Sequence, residues 1–480
     1  MQRTRLLIEV RSKWPGLLAL AALAGLLSLL IAGSLRYDGP EGLMLRVRAE
    51  FVPRRDHPQY VPTPLALSGG KAPQALALAV AQQASPSPTA TNTPEPAATP
   101  SPAASSTPTQ RPMATREPLD ADTRDVPRRG DLPAATPTAT ATPEPTATPT
   151  ALPPTPTAPR ADGTTAPAVA IAGINHYWQT WNNCGPATLT MNLSYYGLPV
   201  TQAEAAKVLK PNKDDKNVSP EQLASFARAQ GLNALVRVNG DFDRLRRLVD
   251  AGVPVLVETW LDHDGGMGHY RLVTGYDDAA GEWTVYDSYV SEGIDPKGAY
   301  PGIRIPYDQM DFVWHVFNRL YVVVYDEARA QAVQEILGSD QDDAAMWQRT
   351  LERAQAGVQQ TPGDAFAWFN LGSSLAAQGR FADAATAYDQ ARIIGLPWRM
   401  LWYQFGPFRA YYEAGRIDEL IALADATIAT VGNIEETYYW KGKGLQAKGD
   451  AEGARQNFRR AVELNSNYPE AAAALAELGG

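Results

Sequence analysis

The chain of 480 residues has few of the residues on which several common kinds of site depend. Its one cysteine, Cys184, excludes an intramolecular disulfide framework and any cysteine-rich zinc or iron–sulfur site. Lysine and arginine total 43 against 52 acidic residues, so the chain lacks the broad basic face that nucleic-acid binding requires. We therefore expect no nucleic-acid partner. If Cys184 has a function, it is one that a single thiol can perform.

Aromatic residues are missing from a long segment that precedes the folded part of the chain. No Phe, Trp or Tyr occurs from Val61 to His176, where Thr, Ala and Pro repeat. This composition cannot bury enough apolar surface to offset the entropy lost on folding. We expect residues 61–172 to form a disordered Pro/Thr/Ala-rich stalk that holds the folded domains away from the membrane.

Charged residues are absent between Lys13 and Arg36. This apolar stretch is long enough to cross roughly 30 Å of hydrocarbon and predicts a transmembrane helix over residues 15–35. Four basic residues and one acidic residue precede it, which places residues 1–14 in the cytoplasm by the positive-inside rule. The sequence thus predicts a single-pass cell-membrane protein, with residues 36–60 as a juxtamembrane segment and the folded domains extracytoplasmic. A cleaved signal peptide is the alternative.

Aromatic residues return at Tyr177 and mark the first folded domain, predicted at residues 173–326. Helical patterns begin at Cys184, Ser219 and Asp241. Strand patterns follow at residues 254–260, 269–277, 282–289 and 321–325. Helices followed by an antiparallel sheet predict an α+β fold.

The rest of the chain is helical and contains a repeat. Gly379, Gly415 and Gly449 are 36 and 34 residues apart, with apolar positions in register around them. This period resembles the tetratricopeptide repeat, which implies an all-α solenoid over residues 364–480, preceded by a helical connector at 327–363. An ordinary helical bundle is the alternative.

The middle repeat and the end of the chain depart from the regular repeat pattern. Gln404 and Pro407 replace the aromatic and leucine expected in the middle copy, and Glu470 to Leu478 resembles a helix that caps the solenoid. A solenoid of this kind predicts a concave surface for a protein partner.

Cys184 is predicted to lie at the amino terminus of a helix, where the helix dipole favours a thiolate over a thiol. A thiolate nucleophile needs a base within hydrogen-bond reach. Of the five histidines, His269 is the best placed, because it starts a strand directly after a Gly-rich loop. The other four are His57, His176, His263 and His315.

A hairpin is predicted to bring His269 to a carboxylate. If its turn is centred on Asp278, His269 lies directly opposite Asp287, and the two side chains share one face of the sheet. Asp287 could then fix the tautomer of the imidazole and leave the other ring nitrogen facing the sulfur. A structural histidine beside a surface aspartate is the alternative.

The segments QTWNNCGPATLTMNLSYYG, MGHYRLVTGYD and WTVYDS resemble the papain-like cysteine peptidases of the bacteriocin-leader-processing family, in its stand-alone peptidase-like branch. The resemblance implies an α+β papain-like fold, with Cys184 as nucleophile, His269 as general base and Asp287 as the orienting carboxylate. It also implies an oxyanion hole formed by the Gln179 side chain and the Cys184 backbone amide. Gln179 is five residues before Cys184 where the family has six, so Asn182 and Asn183 are alternatives to it.

Together these patterns predict a membrane-anchored, extracytoplasmic cysteine peptidase that acts on a peptide or protein and binds a protein partner through its repeats. No metal or organic cofactor is expected. Two alternatives remain open at this stage. One is a non-catalytic surface module in which both domains bind partners, and the other is a papain-like acyl transferase.

Overall fold

The computed structural model describes residues 60–64, 166–212, 214–262, 266–290 and 300–479. The predicted transmembrane segment, most of the predicted stalk, His57 and His263 lie outside these ranges. Within them, no helix is both long and apolar enough to cross a membrane.

The first folded domain is built on one antiparallel sheet of seven strands, ordered β2-β7-β3-β4-β5-β6, with β1 paired to β4 beyond the end of β3. The strands are β1 (Ala168–Ala170), β2 (Asn233–Arg237), β3 (Val255–Trp260), β4 (Gly268–Asp277), β5 (Glu282–Tyr286), β6 (Ile303–Pro306) and β7 (Tyr321–Tyr325). All residues of β3 and β7 are buried, because both strands have neighbours on either side and helices against them.

Five helices accompany the sheet in the described part of this domain. They are α1 (Cys184–Tyr195), α2 (Gln202–Leu209), α3 (Pro220–Ala229), α4 (Phe242–Asp250) and α5 (Tyr307–His315). Local signals set where they begin. Ser219 and Gln222 form a capping box at α3 with Pro220 in its first turn, and Asp241 accepts a hydrogen bond from the Arg244 amide at α4.

Helices make up the remainder of the chain. A connector contains α6 (Ala330–Leu337) and α7 (Asp343–Gln360). Three antiparallel pairs follow, α8 (Ala365–Ala377) with α9 (Phe381–Ile394), α10 (Gly406–Glu413) with α11 (Ile417–Thr430), and α12 (Glu435–Ala447) with α13 (Ala451–Leu464). The last helix is α14 (Pro469–Glu477), which packs on α13 as the predicted cap does.

The repeat register read from the glycines agrees with these pairs. Gly379, Gly415 and Gly449 each follow the first helix of a pair and have φ of 74°, 71° and 82°, a left-handed conformation that glycine adopts without strain. Gly442 is needed for a different reason. A β-carbon there would lie 2.6 Å from the Phe458 ring, so α12 and α13 approach closely only because it is glycine.

The middle pair is irregular, as its sequence indicates. Its first helix, α10, has 8 residues, whereas α8 and α12 have 13 each. A short 3₁₀ helix at Trp398–Trp402 stands where a regular repeat would continue the helix. Residues 403–405 therefore form a connecting segment, which packs against the first domain.

One hydrophobic core extends from the first domain through the connector into the first two helix pairs, and Ala454, Phe458 and Ala474 form a second, smaller core. Trp260 of β3 contacts Phe366 of α8 and Tyr403, with ring centroids 6.1 Å and 6.4 Å away. Polar contacts cross the same boundary, since Asn217 donates to Glu436 at 3.2 Å. This shared core explains why the connector and the repeats continue the first domain in one compact unit.

Both ends of the predicted stalk belong to this folded unit. At one end, the Val61 amide donates to the Leu396 carbonyl at 2.8 Å and Arg392 donates to the Pro62 carbonyl at 2.8 Å. At the other end, the Ala166 amide donates to Asp250. The folded unit therefore includes residues 61–64 and 166–172, and the disordered stalk stays a prediction for residues 65–165, which lie outside the described ranges.

Candidate functional site

Cys184 is the first residue of α1, and its side chain is half-buried. The turn before it is tight, with Asn182 in a left-handed conformation at φ 53°. Lys210 stabilises this turn, because its ammonium donates to the Asn182 carbonyl at 2.8 Å. The sulfur thus lies at a helix amino terminus with a lysine close by, as expected for a reactive thiol.

His269 and Asp287 are in direct contact. The His269 Nε2 lies 3.0 Å from Asp287 Oδ1, and both side chains are almost fully buried, at 3% and 0% exposure. His269 and Cys184 line the same pocket, and the two groups interact electrostatically. Because Nε2 contacts the carboxylate, Nδ1 is the ring nitrogen that remains for an interaction with the sulfur. The structure brings Cys184, His269 and Asp287 together in the predicted order.

The predicted register of the hairpin is wrong, although its two functional residues still meet. Across the turn Asp277 pairs with Glu282, so the turn is not centred on Asp278. This pairing alone would put His269 and Asp287 on opposite faces of the sheet. A β-bulge between Val273 and Gly275 shifts the register by one residue and returns both side chains to the same face.

Arg271, rather than His269, is the residue opposite Asp287 when the β4–β5 ladder is continued beyond Leu272 and Tyr286. Its Nε donates to Asp287 Oδ2 at 2.9 Å. Its other nitrogens donate to the Thr259 hydroxyl and to the carbonyls of Trp260 and Leu261. Sequence reasoning missed Arg271. Its position two residues after His269, hence on the same face of β4, was the available signal.

These contacts shift the pKa values of all three groups. Burial raises the pKa of the Asp287 carboxyl, but His269 and Arg271 outweigh it and hold that pKa well below its usual range. Burial lowers the pKa of His269, and the Asp287 charge and hydrogen bond outweigh it and raise that pKa to about 9. Burial opposes ionisation of Cys184, but the hydrogen bond and charge of His269 lower its pKa. Both the lowered pKa of Cys184 and the raised pKa of His269 favour a thiolate paired with an imidazolium.

The predicted oxyanion-hole residues lie in different settings. Gln179 accepts a hydrogen bond from the Ser288 hydroxyl at 2.9 Å, so its amide oxygen is the end that faces Ser288. Asn183 is buried and donates its amide to the Thr180 hydroxyl at 2.7 Å. Asn182 lines the pocket beside Cys184, and its side-chain oxygen accepts from Lys216 and Trp181.

Of the other histidines, the two in the described ranges lie apart from the sulfur. His176 stacks on Tyr300 with ring centroids 3.5 Å apart, and its Nε2 donates to the Asp287 carbonyl. His315 contacts Asp364 at 3.3 Å, at the boundary between the two domains. In the described ranges, no group of three or more His, Cys, Asp or Glu side chains is arranged to hold a metal ion.

A small pocket opens beside Cys184 and His269. Four parts of the first domain line it. They are the helix start with Asn182, Cys184 and Gly185, the segment from Lys216 to Val218, Glu258 of β3, and Gly268 to Tyr270 of β4. The remaining wall is Tyr403, which comes from the irregular middle repeat. A β-carbon on Gly268 would lie 2.9 Å from the Tyr403 ring, so the two domains are in close contact at the site.

Comparison with known proteins agrees with this architecture. Residues 171–316 match the family described as Peptidase_C39 like family, and residues 365–394 match the tetratricopeptide repeat. A solved structure described as a C39-like peptidase from Bacillus anthracis is similar at 17% identity, over 33% of this chain and 98% of that chain, with a TM-score of 0.28. No curated protein matches the chain.

Proposed function

We propose that this chain, which carries a Peptidase_C39-like domain followed by a tetratricopeptide repeat, is a cysteine peptidase. The observation that supports it most is the buried series of contacts from Cys184 through His269 to Asp287 and Arg271. A structural cysteine would not need a base, a carboxylate and a buried guanidinium aligned behind it.

Each residue has a role in the proposed reaction. The Cys184 thiolate attacks the carbonyl carbon of a peptide bond, and the electron pair moves to the carbonyl oxygen. The His269 imidazolium then donates its proton to the leaving amine, and a thioester remains on Cys184. His269 next takes a proton from water, whose oxygen attacks the thioester and releases the acid. Asp287 stabilises the imidazolium and is itself held by Arg271.

The backbone amide at the start of α1 is the proposed donor to the oxyanion, because the first amides of a helix have no partner within the helix. Gln179 is the proposed second donor. Its contact with Ser288 directs its amide nitrogen away from that residue. Asn183 is less suited to this role, since its amide already donates to Thr180.

The experiment compares the protein with its Cys184→Ala variant on a library of unmodified peptides, with new amino termini read by mass spectrometry. We expect cleavage by the native protein and none by Cys184→Ala, with an acyl adduct on Cys184 after acid quenching. Equal cleavage by both proteins would contradict the proposal. Products that carry an added amine in place of water would instead indicate acyl transfer.

We also propose that residues 15–35 anchor the protein in the membrane with the folded unit extracytoplasmic, and that the repeats bind a protein partner. The charge asymmetry around the apolar stretch supports the first proposal. Protease added to intact cells should cut between residues 65 and 165. Cleavage only after lysis would contradict an extracytoplasmic location.

A further inference from the structure

Glu258 is a buried carboxyl for which the proposed mechanism has no role. It lies on β3 with 2% of its surface exposed, and it lines the pocket that contains Cys184. Within the described ranges, its Oε2 has no hydrogen-bond partner. A buried polar atom without a partner destabilises a fold. Such a group is therefore expected to have a partner in another state of the protein, such as a bound ligand.

The groups around Glu258 disfavour the ionised form of its carboxyl in the absence of a ligand. Burial raises its pKa first, and the charges of Glu221 and of the Cys184 thiolate raise it further. Tyr270, which faces it from β4, donates its hydroxyl to the Val218 carbonyl at 2.9 Å. A positive charge placed beside this carboxyl would favour its ionised form and give Oε2 a partner.

The two lysines near the site are held by other groups. The Lys210 ammonium donates to the carbonyls of Asn182 and Asp215, at 2.8 Å and 2.9 Å. Lys216 donates to the Asn182 side chain and lies 4.9 Å from the centre of the Trp181 ring. None of these contacts involves the Glu258 carboxyl. A cation that binds this carboxyl is therefore expected to come from a ligand.

We propose that the pocket is a subsite for a cationic substrate side chain, lysine or arginine, next to the bond that Cys184 attacks, and that Glu258 binds its charge. Tyr403 forms the wall along which the aliphatic stem of such a side chain would lie. Since Tyr403 belongs to the repeats, both domains would build the subsite. The identity of the ligand as a substrate side chain rests on the proposed peptidase function. The preference of the pocket for a positive charge does not.

The preference can be measured without any peptide. Methanethiosulfonates transfer a thioalkyl group to a thiolate, which forms a disulfide and releases methanesulfinate. Aminoethyl, ethyl and sulfonatoethyl reagents differ in charge and little in size. Each rate of Cys184 modification in the full chain is divided by the rate of the same reagent with a free model thiol. We expect the aminoethyl reagent to be favoured over the ethyl reagent by about tenfold or more.

Substitution of Glu258 tests the assignment. In Glu258→Gln the charge preference should fall to about one, whereas Glu258→Asp should keep part of it. Glu335→Gln is the matched control, because it makes the same substitution at an exposed helix position that does not line the pocket. The Glu258→Gln variant should unfold at the same or a higher temperature, since the carboxyl that it replaces has an unpartnered oxygen.

Two outcomes overturn the inference, namely an unchanged preference in Glu258→Gln and a preference for the sulfonatoethyl reagent in the native protein. Peptides with lysine, norleucine or glutamate on either side of the cleaved bond then test the cation subsite separately from the proposed peptidase function. Loss of the reagent preference in Glu258→Gln without any peptide cleavage would support the cation site and contradict the peptidase. Peptide cleavage without a preference for lysine would contradict the subsite alone.

Discussion

Replacement of Asp287 by asparagine tests the proposed mechanism and can be worked through atom by atom. Oδ1 of Asp287 accepts from His269 at 3.0 Å and from the backbone amides of Tyr289 and Val290, both at 2.7 Å. Oδ2 accepts from Arg271 at 2.9 Å. An asparagine would keep its oxygen on the three donors and turn its NH₂ group towards Arg271, because the reverse orientation opposes three donors instead of one.

This orientation sets the size of the expected effect. His269 keeps an acceptor, so its tautomer is preserved, but the negative charge that stabilises the imidazolium is lost. Asp287 contributes to raising the pKa of His269 from 6.5 to about 9. At about 1.4 kcal/mol per unit, the lost stabilisation is up to about 3 kcal/mol, which is on the order of a 10²-fold decrease in kcat/KM. Steady-state hydrolysis of a peptide, measured from pH 5 to 9, gives this ratio.

Stability must be separated from chemistry in this variant. Asp287→Asn leaves the buried Arg271 guanidinium without its carboxylate, at a cost of roughly 3–5 kcal/mol of unfolding free energy. The double variant Asp287→Asn/Arg271→Gln removes that charge and should recover part of the melting temperature without recovering activity. Asp277→Asn is the control, because Asp277 lies at the turn and accepts from the amides of Ala279 and Ala280. A loss of less than about threefold in Asp287→Asn would refute the reasoning.

Three further predictions concern the boundary between the domains. Gly268→Ala should lower the melting temperature because its β-carbon would lie 2.9 Å from the Tyr403 ring, and Tyr403→Ala in the same chain should restore part of the loss, as a double-mutant cycle would measure. A chain that ends at Asp326 should be insoluble or unfolded by circular dichroism, since Trp260 would lose its contacts with the repeats; a soluble and fully active fragment would contradict the shared core. Burial and the charge of Glu435 raise the pKa of Asp215 to about 8, above its unfolded value of 3.8. The folded state therefore binds more protons between these values, so its stability falls as pH rises from about 4 to 8, and Asp215→Asn should flatten this fall in urea titrations; the same slope in both proteins would contradict it.

Local signals in the sequence account for the elements that could be predicted. The helix at Cys184, the capping residues Ser219 and Asp241, and the strands around His269 were all found near their places in the structure. Strands β1, β2 and β6 were missed; β1 and β6 are short, with 3 and 4 residues, and β1 and β2 pair with strands that are distant in sequence. Such strands are specified by tertiary pairing more than by their own composition.

The candidate site was predictable in its residue types but not in its geometry. Cys184, His269 and Asp287 could be named because each stands beside a helix start, a Gly-rich loop or a hairpin. Their contact depends on the bulge between Val273 and Gly275, which no residue pattern announced. The predicted pairing was wrong at the turn and did not include the bulge. These two errors compensated each other, so the prediction still placed the two side chains on one face of the sheet.

Tyr403 was beyond the reach of sequence reasoning for another reason. The middle repeat was recognised as degenerate at Gln404 and Pro407, but a departure from a pattern does not say where the altered segment packs. The structure places it against Gly268, beside the pocket of Cys184. An irregular repeat is thus part of the wall of the site, which a domain-by-domain interpretation of the sequence could not show.

The dependence of Cys184 alkylation on pH tests the central claim most directly. The claim is that Cys184 exists as a thiolate paired with the His269 imidazolium in the native protein. We expect the rate of Cys184 modification by iodoacetamide to reach its plateau at a lower pH than that of a free model thiol, because His269 outweighs burial and lowers the pKa of the thiol. A rate that rises about tenfold per pH unit until the ordinary thiol pKa near 8.5, or no modification before unfolding, would contradict the claim.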